Sequence, residues 1–285
     1  MSNPRAASRT AAMVAAYRAR ASRAAAPLFV DPWAHALAGD DGEALARQCD
    51  ASFASMELWI AVRTAWLDAL VRRFVAPPFV CKSVVLLGAG FDTRAARLAR
   101  TGVRFFEVDQ PASQAVKLER LASLPDYPLA AATHVACDFE HDDFLERLVA
   151  SGFEPNQPSV VLWEGVVPYL HEPAVRATLR RLATGCHPAT VLAFDSLGQR
   201  MAKGDQLPER DRQTRALVES VGEPVRFGIN DPLPLLYEEG FRYVHTLNFD
   251  AACLALTGTY ERARQFRFQY LVLASVTPPA DRLWW

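Results

Sequence analysis

From Val84 to Phe194 the sequence alternates short apolar runs with segments of helical spacing, and this rhythm limits the fold more than any other feature. The runs Val84 to Leu87, Val103 to Val108, Thr133 to Cys137, Ser159 to Trp163 and Thr190 to Phe194 have the length and the apolar content of buried strands. Between them, Thr93 to Arg100, Gln114 to Leu124, Asp143 to Ala150 and Pro173 to Thr184 carry apolar residues at helical spacing. A repeated strand, crossover helix, strand series builds a parallel sheet with helices on both faces. The expected fold is α/β, a doubly wound, mostly parallel seven-stranded sheet of Rossmann-like type. A helix at Leu235 to Glu239 leads to the last two strands, Phe241 to Phe249 and Phe266 to Val276, expected as an antiparallel pair at one edge.

The flanks carry the rest of the 285 residues. Ser55 to Val75 places Leu58, Val62, Trp66, Leu70 and Phe74 on one side at steps of four, and Pro77-Pro78 stops it, which predicts an amphipathic helix. The first 26 residues hold five arginines (Arg5, Arg9, Arg18, Arg20, Arg23) and no acid precedes Asp31, a composition shared with transit peptides. Met13, Val14 and Tyr17 supply an apolar stripe, however, so a helix with an Arg-rich outer face accounts for the same residues. Residues 198–232 are polar, proline-dotted and mixed in charge, and break the βα rhythm. The expected organisation is a helical extension over 1–80 and an α/β domain over 81–285 with a cap insertion at 198–232. Extension and cap are both expected to fold over the strand ends. No role is legible for the final Trp284-Trp285.

Composition narrows the functional classes. With 51% apolar and 22% charged residues and a net charge of −1, the chain has ample core and lacks the basic excess of nucleic-acid binders. No apolar stretch reaches the length of a membrane span. Cys49, Cys81, Cys137, Cys186 and Cys253 are scattered without metal-ligand spacing, so they read as reduced core thiols, and no metal is expected. Without a secretory signal pattern at the start, the expected location is cytoplasmic.

Ligands of doubly wound sheets bind beyond the carboxyl ends of the strands, and four of these ends carry chemistry. Gly88 and Gly90 in Leu87-Gly88-Ala89-Gly90-Phe91-Asp92-Thr93 let the backbone turn sharply and approach a ligand. A dinucleotide fingerprint would place a small residue where Thr93 stands, so a pyrophosphate ligand loses ground. Asp109 closes the second strand, 19 residues after Gly90, where an acid accepts hydrogen bonds from ribose hydroxyls. Asp138 and Phe139 follow the third strand as a carboxylate for an amino group and an aromatic face for a ring. Glu164 follows the fourth, placed to hold an ammonium or oppose a sulfonium.

The strings VVLLGAGFDTRAARL from Val84, FFEVDQP from Phe105, ACDF from Ala136 and LWEGVVPYL from Leu162, with PLFVDPWA from Pro27 and AVRTAWLD from Ala61, resemble the leucine carboxyl methyltransferase family over most of residues 15–200. The resemblance implies a class I methyltransferase fold using S-adenosyl-L-methionine and releasing S-adenosyl-L-homocysteine. It implies Arg63 at the cofactor carboxylate, Gly88 and Gly90 in the cofactor loop, Asp109 on the ribose, Asp138 and Phe139 at the adenine, and Glu164 near the methionine part. Phe139 stands where leucine is more usual, and residues 198–285 match only in layout.

The activity expected is O-methylation of a small-molecule carboxylic acid, an acceptor ionised at neutral pH that needs no general base. Arg63 or Arg94 would orient the acid, and Tyr169 or His171 would line its pocket. No catalytic base is assigned; Tyr169 and His171 are the candidates should the acceptor be a phenol or hydroxyl. A protein C-terminal carboxylate, a modified tRNA base disfavoured by the balanced charge, a non-catalytic cofactor-binding module and a nicotinamide oxidoreductase are the other readings. The chain is expected to be a monomer or homodimer.

Overall fold

The computed structural model describes residues 9–51, 53–204, 206–220, 223–260 and 268–278. Arg5, Phe266 and Trp284-Trp285 lie outside these residues. Three helices come first, α1 (Arg9–Ala21), α2 (Ala34–Asp50) and α3 (Met56–Phe74). The series then runs β1 (Ser83–Leu87), α4 (Arg94–Arg97), β2 (Arg104–Asp109), α5 (Pro111–Ala122), β3 (Ala132–Ala136), α6 (Phe144–Ala150), β4 (Ser159–Trp163), α7 (Glu172–Gly185) and β5 (Val191–Leu197). After β5 come α8 (Gln199–Lys203), α9 (Glu209–Ser220), α10 (Pro232–Glu238), β6 (Tyr243–Asn248), α11 (Phe249–Thr257) and β7 (Gln269–Ser275).

The seven strands form one sheet in the order β3-β2-β1-β4-β5-β7-β6. The first five strands pair in parallel, and β7 runs antiparallel between β5 and β6. The order reverses between β1 and β4, which leaves the crevice where such folds hold ligands. Because side chains alternate along a strand, β1 sends Val84 and Leu86 to one face and Val85 and Leu87 to the other. The first face packs against the opening helices, with Tyr17, Leu37, Ile60 and Trp66 in its core. The second packs against α6, α7 and α10 through Leu145, Leu179 and Leu236.

Several local expectations are refined. Helix α3 is buried on nearly every side rather than on one stripe, because it lies between the sheet, α1 and α11. In α1, Arg18 turns inward and is buried, contrary to the expected outer arginine face, because Asp31 receives its Nε at 3.0 Å. Helix α4 is a single turn, since the chain reverses into β2 by Arg104. The expected strand Phe241 to Phe249 begins at Tyr243 and stops at Asn248, whose side chain caps the unforeseen α11 by accepting from Ala251 N at 2.8 Å. All five cysteines are free and buried.

The segment after β5 is tied down more firmly than its polarity suggests. Leu197, Met201, Leu207 and Val225 form a small apolar cluster that packs on Tyr169. Arg226 and Phe227 donate their amides to Pro168 O at 2.8 and 3.1 Å, and Ile229 N reaches Leu197 O at 2.7 Å. The Thr10 hydroxyl at the start of α1 donates to Glu223 in the same segment.

Gly42 in α2 is where α1 comes closest. A Cβ there would stand 2.4 Å from the Ala12 carbonyl oxygen. Gly to Ala inside a helix ordinarily stabilises by about 1 kcal/mol. Here the clash with backbone reverses the sign, and Gly42→Ala is expected to lower stability by about 1–3 kcal/mol in urea unfolding.

Candidate functional site

The turn after β1 is fixed by the strand beside it. Gly88 N and Ala89 N both donate to Val108 O, at 2.8 and 3.1 Å. Gly88 and Gly90 adopt φ of +67° and +47°, a region that disfavours side chains. A Cβ on Gly88 would meet Val166 at 2.3 Å, and one on Gly90 would meet the Ala11 Cβ of α1 at 3.2 Å. The loop after β4 and the first helix therefore stand directly against the two glycines.

Asp109 accepts from the backbone amides of Gly90 and Gln110, the latter at 2.7 Å. Burial raises its pKa to about 6 from 3.8, against the pull of those two amides. Asp138 is more open: its Oδ1 accepts from Glu140 N at 3.0 Å and its Oδ2 lies 3.1 Å from His141 Nδ1. The Phe139 ring sits half-buried, 6.3 Å from the Phe144 ring. These positions follow the strand-end order read from the sequence.

Around the ends of β1, β4 and β5 the dominant feature is a continuous chain of buried ion pairs. Asp195 on β5 accepts from Arg63 Nη1 at 2.8 Å, and Arg63 Nε reaches Glu164 Oε1 at 2.9 Å. The other Glu164 oxygen accepts from Arg94 Nη1, which also meets Asp92. Arg94 Nε donates to Asp68 Oδ1 at 2.7 Å, and Arg97 Nη2 joins the same carboxylate at 3.1 Å. Arg97 Nε lies 3.8 Å from Asp31, which holds Arg18 and accepts from the Thr93 hydroxyl at 2.7 Å. Arg18 Nη2 closes the chain on the carbonyl of Phe91 in the glycine turn.

Four guanidiniums and five carboxylates make up this chain among the described residues, so it carries one surplus negative charge. Burial opposes ionisation of both Asp92 and Glu164, yet Arg94 outweighs it and holds Asp92 near 2 and Glu164 below the usual carboxylate range. Burial likewise works against the charge on Arg94, and Asp92, Glu164 and Asp68 overcome it. Even so, Arg94, only 1% exposed, keeps its Nη2 buried without a hydrogen-bond partner among the described residues.

The structure brings Arg63, Arg94 and Glu164 into contact and places Asp109 on the glycine turn. Tyr169 is half-buried beside them in the cap cluster, and burial followed by Glu223 pushes its phenol pKa far up. His171 is not brought to this cluster: it is exposed at the N-cap of α7, with its backbone amide near Glu140 at 3.4 Å. Asp195, Asp68, Asp31 and Arg18 were not singled out from the sequence. Asp195 had a legible signal, since it lies near the end of the fifth strand as Glu164 follows the fourth. Asp68 is the lone acid in the long apolar interior of α3. Nothing in the sequence marks Arg18 apart from its arginine neighbours.

The chain matches the family model described as leucine carboxyl methyltransferase over residues 11–183. A Mycolicibacterium smegmatis protein named "Putative S-adenosyl-L-methionine-dependent methyltransferase" is 34% identical over 212 residues, 67% of each chain. A Frankia alni protein with the same description is 36% identical over 182 residues, 61% of this chain and 63% of that one. A Streptomyces coelicolor counterpart is 34% identical over 212 residues, 68% and 72% of the two chains. Among solved structures, a DUF574-family protein from Streptomyces avermitilis superposes with a TM-score of 0.64 at 14% identity, covering 92% of this chain and 97% of that one. A Thermobifida fusca structure named "putative methyltransferase" gives 0.63 at 13%, covering 93% of both. At such identities these two show the fold.

The ion chain makes folding depend on acid in a definite direction. Asp92 and Glu164 have folded-state pKa values below their usual ones, so their stabilisation is complete above about pH 4.5 and is lost as pH falls through the folded values, toward 2 for Asp92. Asp109, raised to about 6, works oppositely: it favours the fold below 3.8 and loses that contribution as pH rises through 6. Thermal melts from pH 7 to pH 2.5 are expected to show stability falling steeply below about pH 4. Arg94→Met is expected to lose about 3 kcal/mol at pH 7, since it removes the guanidinium paired with Asp92 and one of the two paired with each of Glu164 and Asp68, and to show a flatter acid limb.

Proposed function

Because the chain belongs to the leucine carboxyl methyltransferase family of S-adenosylmethionine-dependent methyltransferases, we propose that it methylates the carboxylate of a small-molecule acid to give a methyl ester. The fit of the cofactor rests on the surplus charge of the ion chain. A buried network with five carboxylates and four guanidiniums favours a ligand carrying net positive charge, as this cofactor does with its sulfonium, ammonium and carboxylate. In this reading Arg63 meets the cofactor carboxylate, Glu164 its ammonium and Asp109 its ribose. Asp138 and Phe139 flank the adenine, while Gly88 and Gly90 keep the turn free of side chains.

The observation that supports the acceptor class is the buried Nη2 of Arg94, which has no hydrogen-bond partner among the described residues. A guanidinium nitrogen buried without an acceptor costs free energy that an anionic oxygen would recover. When bound, the cofactor supplies a methyl group activated by its sulfonium. The protein holds the acid in line, keeps water out through α1 and the cap, and leaves the nucleophile's charge where it already is. Tyr169 suits this role because its raised pKa keeps its proton, making it a hydrogen-bond donor to an oxygen rather than a base. Asp109, ionised only above about pH 6, makes cofactor binding pH-dependent.

Transfer of labelled methyl to a panel of metabolite acids, phenols and alcohols tests the reading. The expected product is an alkali-labile ester that releases labelled methanol; a stable ether shifts the assignment to a hydroxyl acceptor. His171→Ala is expected to leave turnover unchanged, where removal of a general base would cost about 100-fold or more. Arg94→Lys, which keeps the charge but loses the planar fork, is expected to lower kcat/KM for the acid about tenfold or more. Cofactor affinity measured by calorimetry is expected to rise between pH 5 and pH 7 and level off above, following Asp109.

A further inference from the structure

Asp195 is buried near the carboxyl end of β5 and faces no solvent; it is 2% exposed. Its two oxygens serve two different parts of the chain. Oδ1 accepts from the backbone amide of Gly165 at 2.6 Å, and Oδ2 accepts from Arg63 Nη1 at 2.8 Å. Gly165 has φ +67°, so the backbone between Glu164 and Val166 turns through a conformation that needs an external anchor. The same residue lies against the guanidinium: a Cβ on Gly165 would be 3.6 Å from both Arg63 terminal nitrogens. One carboxylate thus fixes the turn that follows β4 and the side chain that descends from α3, and the two meet again at the Arg63 to Glu164 pair.

We propose that Asp195 is the positioning residue that aligns Arg63 with the Glu164-Gly165 turn to receive the amino-acid end of the cofactor, a role that rests on the cofactor reading above. Arg63 has three buried or nearly buried contacts that hold its plane: Asp195, Glu164 and the Trp59 ring 5.6 Å from its Cζ. Without Asp195, Glu164 is the sole carboxylate paired with Arg63 among the described residues, and Glu164 is shared with Arg94. Arg63 would then hold Glu164 in a closer pair, and neither group would be free to exchange partners with an incoming carboxylate and ammonium. Asp195 satisfies the guanidinium from behind, so that Glu164 can be released when the ligand arrives.

An asparagine at this position cannot replace both functions. Gly165 N and Arg63 Nη1 bond different oxygens of the carboxylate, so the amide's one oxygen can face one of them and its NH2 group then points at the other donor. Calorimetric titration of the full-length protein with S-adenosylmethionine, S-adenosylhomocysteine and sinefungin reads the effect without requiring turnover. Asp195→Asn is expected to bind all three about tenfold or more weakly, the loss typical of a hydrogen bond to a charged group. In an Arg63→Ala background the same change is expected to cost little more, since the partner it positions is gone. Asp195→Glu keeps the charge but displaces it by one methylene; it serves where the amide variant does not fold, and an at least threefold loss of affinity with an unchanged melting temperature is expected.

Unchanged affinity in a folded Asp195→Asn or Asp195→Glu protein overturns the proposal. So does a loss that simply adds to that of Arg63→Ala, which would assign Asp195 a general structural role. If the wild-type chain binds none of the three probes, the cofactor reading itself fails, an outcome distinct from tight wild-type binding that the Asp195 variants do not alter.

Discussion

A guanidinium stays buried only if carboxylates surround it, and the arginines at the strand ends set the terms for the rest of this fold. Arg94 follows β1, yet one of its partners, Asp68, comes from α3. Glu164 and Asp195 belong to β4 and β5, yet both are held by Arg63 of α3. Without the extension, Asp195 would lose its arginine partner and Arg97 both of its carboxylates. The opening helices also contribute Arg18 and Asp31, which grip the glycine turn through Phe91 O and Thr93. The helical extension and the α/β series therefore depend on each other, since the extension supplies four of the nine charged groups in this chain of ion pairs.

The division between what was legible in the sequence and what was not follows from the range of the interactions. Strand runs such as Val84 to Leu87 announce themselves because a strand buried on both faces must be apolar at every position, a local rule. Asp109 and Glu164 were legible as acids at strand ends because the architecture assigns meaning to that place. Asp195 obeys the same rule, one residue past the expected end of the fifth strand at Phe194, but its partners Arg63 and Gly165 are 132 and 30 residues away and no local pattern announces them. Arg18 was misplaced on an outer face for a similar reason. Its burial depends on Asp31, 13 residues away across a turn, and on a carbonyl 73 residues away, and no periodicity encodes either. Helix α11 was missed because its apolar run, Phe249 to Leu256, has no polar face to set a helical period; its Asn248 cap was the available local sign.

The cap repeats the lesson in a milder form. Its polar, proline-dotted sequence breaks the βα rhythm, and α9 does carry an exposed pair, Arg212 with Glu209. The segment 223–229 behaves otherwise, bonding its backbone to Pro168 and Leu197 and burying Val225 beside Tyr169. Those bonds tie the cap to the loop that carries Glu164, so cap position and Glu164 position are not independent variables. Thr10 extends the coupling to α1 through Glu223.

Asp109 shows that stability and function pull apart at this site. On the proposed cofactor reading Asp109 has to be ionised when the ligand arrives, yet burial raises its pKa to about 6 and makes that ionisation costlier than in an exposed carboxylate. The amides of Gly90 and Gln110 offset only part of that cost. The ion chain behaves oppositely: Arg94 holds the pKa values of Asp92 and Glu164 below the usual carboxylate range, and the formal count of five carboxylates to four guanidiniums among the described residues leaves one negative charge over. On that reading a ligand that donates hydroxyls to Asp109 and brings net positive charge to Glu164 relieves both mismatches at once, and this is the ground on which we propose a cofactor with a polar sugar and a cationic amino-acid end over ligands possessing only one of the two.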